Sequence, residues 1–188
     1  QVGSDINGGA AEDELGYSVD LSYDGNVVAV GAHQNLTGSG YVRIYKNVNN
    51  VWTQVGSDID GVEVGDNSGR SVSLSSDGNI VAIGSDWNDG NGTDSGHVRI
   101  YKNENNSWMQ IGSDIDGEAA GDRSGWAVSL SADGSVVAIG ATNNDSNGTD
   151  SGHVRIYKNI NNTWTQVGND IDGEAAGDLS GTSVSLSS

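Results

Sequence analysis

Apolar residues occur along the chain in short runs that are separated by polar, glycine-rich segments. SVSL at 71–74 alternates polar and apolar residues, as a half-buried strand does, and NIVAIG at 79–84 is a nearly continuous apolar run, which indicates burial on both faces. HVRIYK at 97–102 alternates again, and a polar turn separates it from WMQIG at 108–112. No segment carries helical spacing. The pattern therefore predicts an all-β chain made of groups of four short strands.

An Asp-Gly dipeptide stands between the first two strands of each group, at 24–25, 77–78 and 133–134. Between apolar runs this dipeptide is a strong signal for a two-residue hairpin, because both of its turn residues must adopt positive φ. We expect the first two strands of each group to be antiparallel neighbours joined by this turn.

The four-strand group is itself repeated. SGHVRIYKN occurs at 95–103 and again at 151–159, and the equivalent glutamines Gln54, Gln110 and Gln166 lie 56 residues apart. We place the repeats at 1–53, 54–109 and 110–165, with a partial copy at 166–188.

Four antiparallel strands in about 50 residues match one blade of a β-propeller. A β-sandwich gives no reason for the sequence to repeat every four strands, and solenoids usually have shorter periods. Each blade buries its faces against its neighbours, so every copy must present the same packing surface. We predict that 1–188 is a propeller segment of about three blades plus part of a fourth. Because propellers use about four to eight blades, we expect an incomplete ring that the remainder of a longer chain completes.

The chain is strongly acidic. Eight basic residues against 26 acidic ones give a formal charge of −18 at pH 7. Nucleic acid and anionic membrane surfaces need a basic face, so neither is an expected partner, and no apolar run is long enough for membrane insertion. Cations are the natural partners of such a chain, although the same charge also serves solubility alone.

Most of the basic residues belong to the repeated nine-residue segment. We expect these cations to pair with carboxylates of their own or of the adjacent blade, and the alternative is a set of solvated charges that contribute little. The six residues are Arg43, Lys46, Arg99, Lys102, Arg155 and Lys158.

Two recurring segments resemble the ends of FG-GAP repeats. LGYSV at 15–19, SGRSV at 68–72 and SGTSV at 180–184 are similar to their Phe-Gly-x-Ser-Val opening, and IGS at 83–85 and IGA at 139–141 are similar to their Gly-Ala-Pro close. The resemblance is to a divergent, bacterial-style version of this integrin-α-like family, because Leu or Ser replaces the Phe and the Pro is absent. It implies a propeller of an extracellular or cell-surface protein with a role in adhesion. Many family members hold calcium in the hairpin between the first two strands, but here that hairpin is too short to enclose the ion.

Two other acidic segments are candidates for calcium, which prefers six to eight oxygen ligands on a flexible loop. The alternative for both is that Asp, Asn and Gly simply form turns. The first candidate set is Asp89, Asn91 and Asp94 with their counterparts Asp145, Asn147 and Asp150. The second is Asp114, Asp116, Glu118 and Asp122 with their counterparts Asp170, Asp172, Glu174 and Asp178.

The histidines and tryptophans divide by how often they recur. His97 and His153 occupy equivalent positions where the first copy has Tyr41, and we predict packing residues at the start of a strand. Trp52, Trp108 and Trp164 recur at the start of the fourth strand and are predicted to serve blade packing. Trp87 and Trp126 each occur once, and they are either possible ligand contacts or partly covered surface.

The sequence favours a non-catalytic, extracellular propeller segment of a larger surface or secreted protein, acting in adhesion, scaffolding or partner binding. No residue departs from the repeat as one privileged catalytic site would, so we do not predict an enzyme. A protein or glycan surface partner is expected, and calcium is the one expected cofactor. The alternatives are a lectin-like carbohydrate-binding module that uses Trp87 and Trp126, or an accessory domain of a secreted hydrolase.

Overall fold

The computed structural model describes residues 1–33 and 38–187, and the regular structure in these ranges consists of β-strands in three separate sheets. The described residues include no helix of the length and apolarity that a membrane span requires. The first blade contains β1 (Ser18–Leu21), β2 (Val27–Ala32), β3 (Tyr41–Val48), β4 (Val51–Gln54) and β5 (Ile59–Asp60). The second contains β6 (Ser71–Leu74), β7 (Ile80–Ser85), β8 (His97–Glu104), β9 (Ser107–Gln110) and β10 (Ile115–Asp116). The third contains β11 (Ser124–Leu130), β12 (Val136–Ala141), β13 (His153–Ile160), β14 (Thr163–Gln166) and β15 (Ile171–Asp172).

In each blade four strands follow one another as an antiparallel meander. The fifth, two-residue strand continues along the edge that the fourth strand occupies: in the second blade β9 pairs with Tyr101–Glu104 of β8, and β10 pairs with His97 and Val98. The prediction of an all-β chain built from four-stranded antiparallel blades is confirmed. The two-residue strands were not predicted, and β10 and β15 lie within the second acidic candidate segments, which we expected to be loops.

The turns correct one expectation. At Asp24-Gly25 only the glycine has positive φ, at 69°, and the N–H of Gly25 bonds to the carbonyl of Ser22, so the turn is not the predicted two-residue type. Two-residue turns with both φ values positive join the third and fourth strands instead, for example at Asn49 (52°) and Asn50 (64°). Asparagine tolerates this left-handed conformation because its short polar side chain bonds locally.

The apolar core lies between blades. One cluster joins Val42 and Ile44 of the first blade to Leu74 and Ile83 of the second, and the other cluster joins the second blade to the third. The members of the second cluster are Ala82, Val98, Ile100, Ile115, Val128, Leu130, Val137 and Ile139. Burial of apolar surface contributes about 25 cal/mol per Å², so the blades stabilise one another rather than folding around cores of their own. This confirms that the repeated sequence provides a repeated packing surface.

Polar contacts cross the same junctions. Trp108 packs against the first cluster and donates its Nε1–H to the carbonyl of Val55 in the preceding blade, at 2.9 Å. Trp164 donates in the same way to Ile111, at 2.8 Å. The predicted packing role of Trp108 and Trp164 is confirmed, and the structure places that packing between blades.

The repeated cations behave differently from one another. Arg43 forms a two-point pair with Asp58 of its own blade, with N–O distances of 2.9 Å. Arg99 and Arg155 instead each donate to a backbone carbonyl of the preceding blade, of Asp60 at 2.8 Å and of Asp116 at 2.7 Å, and Arg155 also has Glu118 of that blade 3.6 Å away. In the described residues the lysines of the repeat form no ion pair.

Candidate functional site

Many of the candidate residues lie on loops at one end of the blades, which we call the loop face. It comprises the loops between the second and third strands (86–96 and 142–152) and the segments that follow the two-residue strands (61–70, 117–123 and 173–182). Backbone hydrogen bonds join these elements, for example from the N–H of Gly117 to the carbonyl of Gly96 at 2.8 Å and from Ser124 to Ser95 at 2.9 Å. The face is therefore a fixed surface, although it is made of loops.

In the first candidate set the side chains shape the loop. Asp89 accepts the backbone N–H of Asp94 through Oδ1 at 2.9 Å, and Asn91 donates its Nδ2 to the carbonyls of Gly117 and Glu118 at 2.8 and 3.0 Å. The third blade repeats these bonds. There Asp145 accepts from Asp150 at 2.8 Å, and Asn147 donates to Gly173 and Glu174 at 2.8 and 3.1 Å.

The structure divides the second candidate set. Asp122, which is 3% exposed, accepts the N–H of Ala119 at 3.0 Å and the side-chain amide of Asn144 at 3.0 Å, so it closes a turn and joins the next blade. Asp178 accepts the N–H of Ala175 at 2.8 Å in the same way. The remaining members either approach a histidine, as Asp114, Asp116, Glu118 and Asp170 do, or lie exposed, as Asp172 and Glu174 do.

The histidines bring acidic residues together in two groups, within each of which the potential ligand atoms lie within 4.8 Å of one another. His97 gathers Asp114 and Asp116, and its Nδ1 lies 3.5 Å from Asp114 Oδ2. His153 gathers Glu118 and Asp170, whose oxygens lie 3.9 and 3.7 Å from its Nδ1. Each of these two groups of residues could hold a metal ion.

Both histidines are buried where their strands begin, as predicted, but the grouping of the acidic candidates around them was not predicted. The signal lies in strand register, since β10 pairs with β8 and places Asp116 opposite His97. Burial, followed by the charge of Arg99, lowers the pKa of His97 to about 4, and burial likewise lowers the pKa of His153. Both imidazoles are therefore neutral at pH 7, which is the form that binds metals.

In the second blade the two candidate sets meet in one cleft of about 280 Å³. Asp89 of the first set and Asp114 and Asp116 of the second set line this cleft. His97 and Val62 line it as well. The sequence did not predict this convergence, because the two sets lie on loops that only strand pairing brings together.

Three consecutive copies contribute an aromatic and cationic stack. The guanidinium carbon of Arg70 lies 3.9 Å from the ring centre of Trp126 and 4.8 Å from that of Tyr17. The Tyr17 ring in turn stacks on His33 at 3.8 Å. Trp87 is 43% exposed and has Arg123 5.6 Å from its ring centre. Trp126 is thus largely committed to Arg70, whereas Trp87 presents an open aromatic surface.

Asp86, next to Trp87, is the most deeply buried carboxylate of the loop face at 1% exposure. Burial raises its pKa to about 6, although Arg70 lies 3.9 Å away and opposes the shift. Its Oδ1 has no hydrogen-bond partner among the described residues.

The stacked four-stranded blades define the chain as a β-propeller protein. Residues 114–157 match the FG-GAP repeat, which confirms the resemblance seen in the sequence. No curated protein matches the sequence.

Solved structures share the fold. A functionally unknown protein from Desulfotomaculum acetoxidans matches with a TM-score of 0.55 and 16% identity over 88% of this chain and 43% of its own. Hydrazine synthase from Kuenenia stuttgartiensis matches with a TM-score of 0.53 and 13% identity over 92% of this chain and 42% of its own. A eukaryotic initiation factor matches with a TM-score of 0.58 and 13% identity over 91% of this chain and 35% of its own. The chain thus spans less than half of each, and the likeness is one of fold.

Proposed function

We propose that this chain is a non-catalytic β-propeller segment of a larger surface or secreted protein, and that its loop face binds an extracellular protein or glycan in adhesion or scaffolding. The FG-GAP match at 114–157 supports this class of function. The histidines recur at equivalent positions in two blades, which suits a repeated structural or binding role better than a single catalytic centre.

The observation that carries the proposal is the fixation of the loops. Asn91 and Asn147 each tie a loop to the segment that follows the next two-residue strand, through two hydrogen bonds of 2.8–3.1 Å. A loop that is already ordered loses little conformational entropy when a partner binds, and preorganisation of this kind raises affinity. The loop face therefore has the rigidity that a recognition surface needs.

Calcium is the ion that we propose for the loops of this face. Asp89 and Asp94, and their counterparts Asp145 and Asp150, lie close enough for a side chain of one to bond the backbone of the other. Oxygen ligands on such loops suit calcium, and the ion would offset part of the negative charge of the chain.

A glycan-binding role is the second candidate, and the exposure of Trp87 favours it. An aromatic ring that is 43% exposed offers a flat apolar surface on which a sugar ring packs. The third blade has Asn143 at the equivalent position, so Trp87→Asn is a substitution that the repeat already tolerates.

Binding of chain-coated fluorescent beads tests these proposals. The beads are applied to a glycan array and to intact cells, with calcium or with a chelator, and before and after protease treatment of the cells. Adhesion to a protein predicts cell binding that protease removes and that Trp87→Asn leaves unchanged. A lectin role predicts array binding that Trp87→Asn removes. Beads that bind neither surface would overturn both.

A further inference from the structure

Three side chains meet at the junction of the second and third blades. Glu118 lies in the segment that leaves the second blade, His153 begins β13 of the third, and Asp170 shortly precedes β15. Their ligand atoms lie within 4.8 Å of one another, so one ion placed between them would contact residues of both blades.

His153 is fully buried, and both of its ring nitrogens lack hydrogen-bond partners among the described residues. A buried polar group without a partner is costly, and such groups in a native fold call for an explanation. The first blade solves the same problem directly, because Tyr41, at the equivalent position, donates its hydroxyl to Asp13 at 2.9 Å. His153 has no such bond.

The distances around His153 are too long for hydrogen bonds and suit a shared ion. Its Nδ1 lies 3.7 Å from Asp170 Oδ2 and 3.9 Å from Glu118 Oε2. Zinc–nitrogen and zinc–oxygen bonds are about 2.0–2.2 Å, so two ligands of one tetrahedral ion lie roughly 3.4 Å apart. The two nitrogen–oxygen distances exceed this value by a few tenths of an ångström, and the carboxylate oxygens lie within 4.8 Å of each other.

The donor set and the charge indicate the class of ion. A neutral imidazole with two carboxylates is a common ligand set for divalent transition metals, whereas calcium prefers oxygen ligands alone. Two carboxylates also match a divalent charge. Arg155 Nη1 lies 3.6 Å from Oε1 of Glu118, whereas the other oxygen, Oε2, is the one that approaches His153.

We propose that Glu118, His153 and Asp170 bind a divalent transition-metal ion of the zinc class, which joins the second blade to the third. The site is distinct from the calcium loops proposed above, because it has a nitrogen ligand and different residues.

The second blade provides an internal comparison. His97 has Asp114 and Asp116 beside it, but Val62 occupies the position equivalent to Glu118. That cluster therefore has no carboxylate from the preceding blade at this position, and Val62→Glu would supply one.

The experiment uses the chain freed of metal with a chelator and titrated with Co²⁺, followed by its visible absorption, and with Zn²⁺, followed by calorimetry. The variants copy residues of sister repeats, His153→Tyr after Tyr41 and Glu118→Val after Val62, so both are expected to fold, and circular dichroism checks this. We expect wild type to bind Zn²⁺ at the inter-blade cluster and each variant to weaken that binding by roughly 10–100-fold or more. Val62→Glu should raise affinity at the His97 cluster.

Several results would overturn the proposal. They are an absence of Co²⁺ and Zn²⁺ binding in wild type, unchanged binding in folded His153→Tyr and Glu118→Val, or displacement of bound Co²⁺ by a modest excess of calcium. Bead adhesion is a separate readout, so a wild-type chain that binds neither Co²⁺ nor Zn²⁺ but still adheres would reject this site and leave the proposed function standing.

Discussion

Trp164 of the third blade donates its indole N–H to the backbone carbonyl of Ile111 in the second, at 2.8 Å. Trp108 makes the same bond to Val55 one blade earlier, at 2.9 Å. The bond fastens the fourth strand of one blade to the residue that follows the fourth strand of the blade before it. It therefore adds a polar contact to the junction that the apolar clusters form, against which both tryptophans also pack.

Trp164→Phe should keep most of the apolar contact and lose this bond. A net hydrogen bond contributes about 0.5–1.5 kcal/mol, so we expect a loss of about 1 kcal/mol in the free energy of unfolding, measured by urea denaturation. Trp87→Phe, at a 43% exposed site, is the control and should change stability by less than about 0.5 kcal/mol. Equal effects of the two substitutions would contradict a role for the bond.

Gly112 and Gly168 allow the junction to be tested without changing a side-chain contact. Both have positive φ, 74° and 75°, but a Cβ on Gly112 would lie 2.8 Å from the carbonyl oxygen of Asn162, whereas one on Gly168 would meet nothing within 4 Å. Gly168→Ala should therefore cost only the backbone strain, about 1–2 kcal/mol. Gly112→Ala should lower the free energy of unfolding by more, because the third blade must also move away from the new Cβ. Equal losses of stability for the two variants in urea denaturation would contradict close packing at this junction.

Asp86 should make stability depend on pH. Its folded pKa of about 6 is above the unfolded value near 3.9, so the folded chain binds the proton more tightly. The resulting stabilisation is fully present below about pH 4 and is lost as the pH rises through about 6, by roughly 2–3 kcal/mol. Asp86→Asn, which carries no charge to bury, should be more stable than wild type at pH 7.5 and should lose that advantage at pH 4. The measurement is the free energy of unfolding of both proteins between pH 4 and 7.5. A difference between the two proteins that stays constant with pH would contradict the raised pKa of Asp86.

Calcium should raise the thermal midpoint of the chain if the loops of the face bind it. The double variant Asp89→Asn with Asp145→Asn keeps an oxygen that accepts the N–H of Asp94 or Asp150 and removes two charges. We expect this variant to melt like wild type in chelator and to respond less to added calcium. A wild-type midpoint that is the same with calcium and with chelator would remove calcium from the loops.

The four main strands of each blade, the blades and their stacking could be predicted from the sequence, because alternation and repetition of residue types are visible in the sequence itself. The prediction failed for features that depend on the register in which two strands pair. Ile115 and Asp116 form a strand only because β8 offers them an edge, and that pairing places Asp116 opposite His97. The turns were mispredicted as well: Asn49 and Asn50 adopt the two positive φ values that were expected of Asp-Gly, whereas at Asp24-Gly25 only the glycine does.

The partners of the acidic side chains were equally hidden. Asp122 and Glu118 belong to the same short segment, but one closes a turn and the other approaches His153. The identities of the two residues do not distinguish these roles. The roles depend on the direction in which each side chain leaves the segment, and contacts with the neighbouring blade determine the shape of that segment.

The two inter-blade clusters use the same positions of successive copies, with leucine and isoleucine in matching places. An interface of this kind can pack a further copy in the same way, so an added blade requires no new complementary surface. The number of copies is limited instead by the closure of the ring, since propellers use about four to eight blades.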